Sequence, residues 1–148
     1  MEPLAENRKA HFTYEILEKF DAGIVLLGHE VKSIRQGKVQ LTGSYVIFKG
    51  EELFLVGATI APYQPSNTQT SYHPDRSRKL LLQKKELQYL IGKSRQKGLT
   101  LIPLKLYTIK GKIKLEFGLA RGRKKYDKRE QLKKRESDRE IERALKGM

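Results

Sequence analysis

Two alternating stretches joined by one tight turn constrain this chain more than any other feature of its sequence. Ile102, Leu104 and Leu106 occupy every second position, Lys110-Gly111-Lys112 reverses the chain, and Ile113, Leu115, Phe117 and Leu119 alternate with Lys112, Lys114 and Glu116. A period of two gives each arm one apolar and one polar face, and glycine supplies the reversal, so the segment predicts an antiparallel hairpin. A second hairpin is predicted where SYVIF (44–48) and LFLVGATI (53–60) flank KGEE. Phe12, Tyr14 and Ile16 alternate as a half-buried strand does, and Gly23 with the run Ile24 to Leu27 begins another. Six short strands, with too few long helices for a parallel sheet, predict a mainly β fold: a small closed antiparallel barrel with inserted helices.

Two segments break the period of two. GHEVKSIRQG (28–37) lies between glycines and spaces Val31 and Ile34 on one helical face, which predicts a short helix carrying Glu30, Lys32 and Arg35 at its surface. Leu87, Leu90 and Ile91 recur at helical spacing before Lys97-Gly98, a stop signal. Residues 1–10 are polar and expected to be loose. From 61 to 78, APYQPSNTQTSYHPDRSR holds three prolines and many Ser, Thr, Asn and Gln. A loop of that length inside a compact domain is usually functional or disordered.

The end of the chain cannot be core. Residues 120–148 contain twelve Lys and Arg against six Asp and Glu, which is +6 of the net +14 and leaves +8 on the body. A chain of 148 residues with 38% hydrophobic content suits one modest core, so the expected division is a barrel domain over 1–120 and a basic tail over 121–148. A cationic excess on both parts is the footprint of a polyanion binder, since each neutralised phosphate releases condensed counterions. The longest apolar runs, such as Ile24 to Leu27, are four residues, whereas a membrane span needs roughly 20. MEPLAENRKAHF lacks the apolar centre of a secretion signal. No membrane partner and a cytoplasmic location are therefore expected, and the absence of cysteine removes disulfides and thiolate metal sites.

Catalysis finds little support. His11, His29 and His73 sit in three separate segments without metal-ligand spacing, and no GxxxxGK[ST] or GxGxxG occurs, so no metal, no cofactor and no enzyme activity are expected. The signal for RNA is stronger, because Tyr72, His73, Arg76, Arg78 and Lys79 fall within eight residues. Rings and guanidinium planes stack on unpaired bases while ammonium groups meet phosphates. A solvated loop leading into a buried strand, Leu80 to Leu82, accounts for the same residues equally well. Glu30 is informative on such a surface: a carboxylate there accepts from base amino groups or orients neighbouring Lys and Arg, unless its helix merely plugs one end of the barrel with its charges solvated.

NRKA (7–10), GHEVKSIRQGK (28–38), SYV (44–46), RSRKLLLQKKEL (76–87), QKGLTLIPLKLY (96–107) and GLARGRKKYDKR (118–129) resemble, in order, the hallmark segments of the small protein B family, the SsrA-binding proteins. The resemblance implies a barrel of oligonucleotide-binding (OB) type that binds the tRNA-like domain of transfer-messenger RNA (tmRNA, SsrA RNA) and delivers it to stalled ribosomes for trans-translation. It implies an RNA face of Asn7, Asp21, Glu30, Lys32, Arg35, Arg78, Lys79 and Leu81, with Leu81 acting by packing or by contact, to which the interleaved loop adds Arg76. It implies a ribosome-facing segment of Arg123, Lys124, Lys125, Tyr126, Asp127, Lys128 and Arg129, with the tail entering the empty mRNA channel beside the decoding region of the small subunit. Alanyl-tRNA synthetase and the GTP-bound elongation factor would be met indirectly, through the RNA, and the protein is expected to act as a monomer. The alternative is a ribosomal or initiation-factor-like barrel that binds rRNA without tmRNA.

From Lys128 to Lys146 there are nine opposite-sign pairs at i,i+3 or i,i+4 and six like-sign pairs. At about 0.3 kcal/mol each the net gain is on the order of 1 kcal/mol, less than helix nucleation costs. The expectation is a tail disordered when free and helical where a channel walled by phosphates stabilises it.

Overall fold

The computed structural model describes residues 2–64 and 71–123. Among these the chain forms, in order, β1 (Glu2–Glu6), α1 (Ala10–Thr13), β2 (Tyr14–Ile24), α2 (Gly28–Arg35), β3 (Val39–Gln40), β4 (Tyr45–Lys49), β5 (Glu52–Val56), β6 (Thr59–Ile60), β7 (Arg78–Leu81), α3 (Lys84–Ser94), β8 (Leu99–Ile109) and β9 (Lys112–Gly122). The long hairpin is β8–β9, closed by a two-residue turn in which Lys110 (φ 52°) and Gly111 (φ 75°) both adopt the left-handed region, as a type I′ turn requires.

The main sheet runs β1-β8-β4-β5-β7-β2-β9, every pairing is antiparallel, and β9 returns to pair with β8. Six strands therefore close a ring, which removes the open edges a flat sheet would leave. Strand β1 lies outside the ring on the free edge of β8, with Glu6 opposite Lys105, further along that edge from the point where Val46 of β4 meets Leu101. The ring's interior is filled by Leu53, Leu55, Leu80, Leu106, Leu115 and Phe117, each at most 2% exposed.

Several expectations are corrected. Residues 2–6 are not loose: EPLAE has no apolar alternation, but β8 offers it an unpaired backbone edge. The predicted strand through Phe12 begins at Tyr14, preceded by a helical turn, and continues unbroken to Ile24. LFLVGATI is two strands, β5 and β6, divided at Gly57, whose φ of 79° no strand residue adopts. At the end of β9, Arg121 is registered with Glu15 and Leu99, and Gly122 with Tyr14.

Within the hairpin the alternation holds for β9, whereas β8 changes parity. The register slips between Pro103 and Lys105, so Leu106 enters the ring while Ile102 and Leu104 join Ala10 and Ala120 in a separate small core. Proline cannot donate to the ladder and is accommodated at such bulges. A matching slip in β2, between Ile16 and Glu18, lies against Gly118, where a Cβ would come within 2.8 Å of the Ile16 Cγ2.

Candidate nucleic-acid interface

Helix α2 starts where Leu27 is extended, and its third residue, Glu30, reaches back so that its Oε1 accepts from the Leu27 amide at 2.8 Å. A carboxylate at this position satisfies one of the orphan donors of a helix start and faces the positive end of the helix dipole. Ser33 and Ile34 turn inward, and the Ser33 hydroxyl donates to the Ala61 carbonyl at 2.7 Å. Glu30 turns inward too. It is fully buried, which corrects its expected place at the helix surface.

Strand β7 explains what meets it. Its four residues alternate buried, exposed, buried, exposed, so Arg78 and Leu80 point into the ring while Lys79 and Leu81 face outward. Arg78 is also fully buried. It donates to Glu30 Oε2 from Nε (3.1 Å) and from a terminal nitrogen (2.6 Å), and its remaining donors go to the carbonyls of Ala58 (2.7 Å) and Pro74 (2.8 Å). Arg76, two residues earlier and partly exposed, forks onto the same carboxylate: Nε donates to Oε2 at 3.2 Å and a terminal nitrogen donates to Oε1. The Tyr72 hydroxyl lies 3.0 Å from Glu30 Oε2 and 2.8 Å from the Ile60 carbonyl, and it accepts from Arg78 at 3.2 Å. One carboxylate thus ties α2, β7 and both ends of the 58–78 connection together.

Burial is the largest single influence on Glu30 and pushes its carboxyl up. It is outweighed by the hydrogen bonds from Arg76, the Leu27 amide and Arg78 and by the charge of Arg78, which hold the group at about 2, below its ordinary 4.5. A buried charge costs several kcal/mol unless it is paired and fully hydrogen-bonded, and here both conditions are met. The cluster is a fastening, with no surface of Glu30 or Arg78 left to offer a ligand.

The remaining expected residues divide by exposure. Lys32 and Arg35 stand on the outer side of α2; the Lys32 ammonium is 5.4 Å from the Tyr63 ring centroid, and Arg35 donates to the Gly111 carbonyl at 3.0 Å. Lys79 and Leu81 stand on the outer side of β7, and Leu81 is 52% exposed. Asp21 accepts from the Tyr107 hydroxyl at 2.7 Å, and burial first, then that bond, pushes the Tyr107 phenol up to about 12. Asn7 is buried: its amide donates to Leu104 O (2.8 Å) and its side chain to Pro103 O (2.9 Å), so it pins the chain before α1 to the bulge of β8. Arg123 donates its amide to Thr13 O (3.0 Å) and its Nε to His11 O (3.2 Å). Lys124, Lys125, Tyr126, Asp127, Lys128 and Arg129 lie outside the described residues.

Sequence reasoning grouped Arg76, Arg78 and Lys79 as one cationic patch and missed that the strand separates them. The signal was present as parity, because Arg78 shares its face with Leu80 and Lys79 does not. His29, weighed above only as a metal ligand, meets the Tyr72 ring edge-on at 4.5 Å between centroids, and Tyr63, beside Lys32, is marked by nothing in its spacing. Among the described residues no group of His, Asp and Glu is arranged to hold a metal ion.

The chain is similar to proteins of one kind. A family model described as SmpB protein matches residues 4–147. The SsrA-binding protein of Thermosynechococcus vestitus is 52% identical over 143 residues, covering 97% of this chain and 94% of the relative. That of Polaromonas sp. is 50% identical over 144 residues, covering 97% of each. Among solved structures, a chain from "tmRNA-SmpB: a journey to the center of the bacterial ribosome" superposes with a TM-score of 0.67 at 50% identity, covering 85% of this chain and 92% of that one. With matching segments, a matching barrel and half of all residues shared over nearly the whole length, the chain belongs to the SmpB protein family.

Proposed function

We propose that the protein binds the tRNA-like domain of tmRNA and delivers it to stalled ribosomes for trans-translation, acting in the cytoplasm as a binding protein without a catalytic step. The observation that carries this reading is 50% identity, over 85% of the chain, to a chain from "tmRNA-SmpB: a journey to the center of the bacterial ribosome". The geometry supports a division of labour. Lys32, Arg35, Lys79 and Leu81 meet the RNA, while Glu30, Arg78 and Asn7 act as positioning residues that hold α2, β7 and the α1 region in place. Arg76 does both, being held by Glu30 and still partly exposed. Arg123 to Arg129 form the ribosome-facing segment, and helix formation by the tail accompanies its entry into the mRNA channel.

The test is competition. Full-length protein bound to labelled tRNA-like domain is challenged with an elongator tRNA at physiological salt, and RNA that co-purifies from cells is sequenced. Preference for the tRNA-like domain by at least an order of magnitude, with tmRNA enriched in the sequences, is the expected result. Equal affinity for both RNAs, with only rRNA recovered, would replace the reading with that of an rRNA-binding barrel.

A further inference from the structure

Strand register places a continuous row of side chains across the outside of the barrel. Ile47 of β4 is opposite Phe54 of β5, and Phe54 is opposite Lys79 of β7. Beyond Lys79 comes Val25, whose amide donates to the Lys79 carbonyl at 2.9 Å. The adjacent row is Leu81, Gly23 and Lys114. Ile47, Val25 and Leu81 are 39%, 45% and 52% exposed. A single exposed aliphatic needs no explanation, but several in register around a half-buried aromatic ring form a patch. Gly23 keeps it low: a Cβ there would meet the Leu81 Cβ at 3.4 Å.

Cations surround this patch. The Lys49 ammonium lies 5.3 Å from the Phe54 ring centroid, Lys79 flanks the ring on the next strand, and Lys114 ends the second row. The nearest carboxylate in register, Glu52, is exposed and 3.6 Å from Lys79. Protein–protein interfaces are depleted of lysine at their centres, whereas unpaired nucleic acid is held by rings under its bases and cations along its phosphates. The chemistry therefore favours RNA.

We propose that Phe54 is the floor of a stacking site for one unpaired base of the bound RNA, with Lys49 and Lys79 on the flanking phosphates. The site rests on the reading that this protein binds RNA, and extends the RNA face from β7 onto β5 and β4. Before RNA arrives, Lys49 covers the ring as a cation–π partner, a weak contact at an exposed position. A base that stacks on the ring displaces the ammonium, which swings to a phosphate, so one substitution of contacts satisfies both groups.

The chain contains no tryptophan, so Phe54→Trp introduces a lone reporter at the site. Full-length Phe54→Trp is titrated with the tRNA-like domain, with an unpaired hexa-adenylate, and with a blunt RNA duplex. The first two should quench its fluorescence to saturation and the duplex should not. Phe54→Ala, compared with the wild type well below its own melting transition, should bind the tRNA-like domain about tenfold more weakly, and Lys49→Ala should make the slope of log affinity against log salt shallower by about one. Unchanged emission at saturating tRNA-like domain, wild-type affinity in Phe54→Ala, or equal quenching by the duplex would each overturn the stacking site. These outcomes are distinct from failure of the proposed function, which is read from competition against elongator tRNA on the wild-type chain.

Discussion

The β8–β9 hairpin and the corner where α2 meets β7 each have a buried centre, yet the two centres are held by opposite means. In the hairpin, Leu106, Leu115 and Phe117 are buried in an apolar cluster, between two strands registered from Leu99–Arg121 to Ile109–Lys112 with one slip at Pro103. In the corner, one carboxylate collects two guanidinium groups, a backbone amide and a phenol. Apolar packing degrades gradually, because neighbours relax into a cavity. A charged cluster degrades abruptly, because removing one member strands the others without water. The expected RNA contacts Lys32, Arg35 and Lys79 all stand on elements fastened by the second kind of interaction.

The largest effect should come from breaking the fastening by substitution. Glu30→Gln keeps the shape but leaves Arg78 charged and unpaired inside, and should cost about 3–5 kcal/mol of stability, read by denaturant unfolding. RNA affinity should fall in parallel, even under conditions where the variant remains folded. In the hairpin, Leu115→Ala should cost about 2–5 kcal/mol and leave the affinity of the remaining folded protein unchanged. If Glu30→Gln unfolds at the wild-type denaturant concentration, the cluster is not a fastening.

Acid should sharpen the comparison. The Glu30 carboxyl titrates lower in the folded state than in the unfolded chain, so its contribution is fully present above pH 4.5 and is lost as pH falls towards about 2. A shift of that size corresponds to about 3 kcal/mol. Unfolding curves between pH 6 and 2 should show Leu115→Ala losing stability in step with the wild type, whereas Glu30→Gln, having nothing left to protonate there, should lose less. Parallel curves for all three would locate the acid sensitivity elsewhere.

The smallest effect on stability belongs to the outward residues. Lys79→Ala removes an exposed ion pair with Glu52, and exposed pairs contribute about 0–1 kcal/mol. Its melting temperature should hardly move, while affinity for RNA falls and the salt slope becomes shallower by roughly one phosphate. A variant that loses stability but keeps its RNA affinity would place Lys79 with the fastening rather than with the rim.

The two regions also differ in how well they can be read from sequence. Strand β9 is legible residue by residue, because a period of two is enforced along its whole length by a buried ring on one side. Strand β8 is legible as a strand but not as a face: the slip at Pro103 exchanges inside for outside, and alternation alone does not reveal a slip. Helix α2 is legible from Val31 and Ile34. Glu30 is not, since charged residues default to the surface and its partners Arg76 and Arg78 lie 46 and 48 residues away in sequence. The family resemblance implies an RNA face that includes Glu30, Arg78 and Asn7; that all three are buried is not legible, because contact and support leave the same mark on a sequence. Strand β1 was illegible for a further reason: its pairing depends on the free edge of β8, not on any pattern of its own.

The tether at Arg123 has a consequence of another kind. Two carbonyls of the α1 turn hold this residue, one position after Gly122 pairs with Tyr14 at the start of β2. Whatever follows Arg123 starts from an origin fixed in the frame of the barrel, at the end of β9 that pairs with the start of β2, the strand whose far end carries Gly23. Once the barrel is seated on an RNA, that origin no longer diffuses independently. The encounter of the following residues with a nearby surface then becomes intramolecular, governed by an effective concentration that depends on the span to be bridged and the length of chain available. On the proposed reading of the residues beyond Arg123 as ribosome-facing, lengthening the chain just after Arg123 should lower their effective concentration at the ribosome while leaving the Arg123 tether intact.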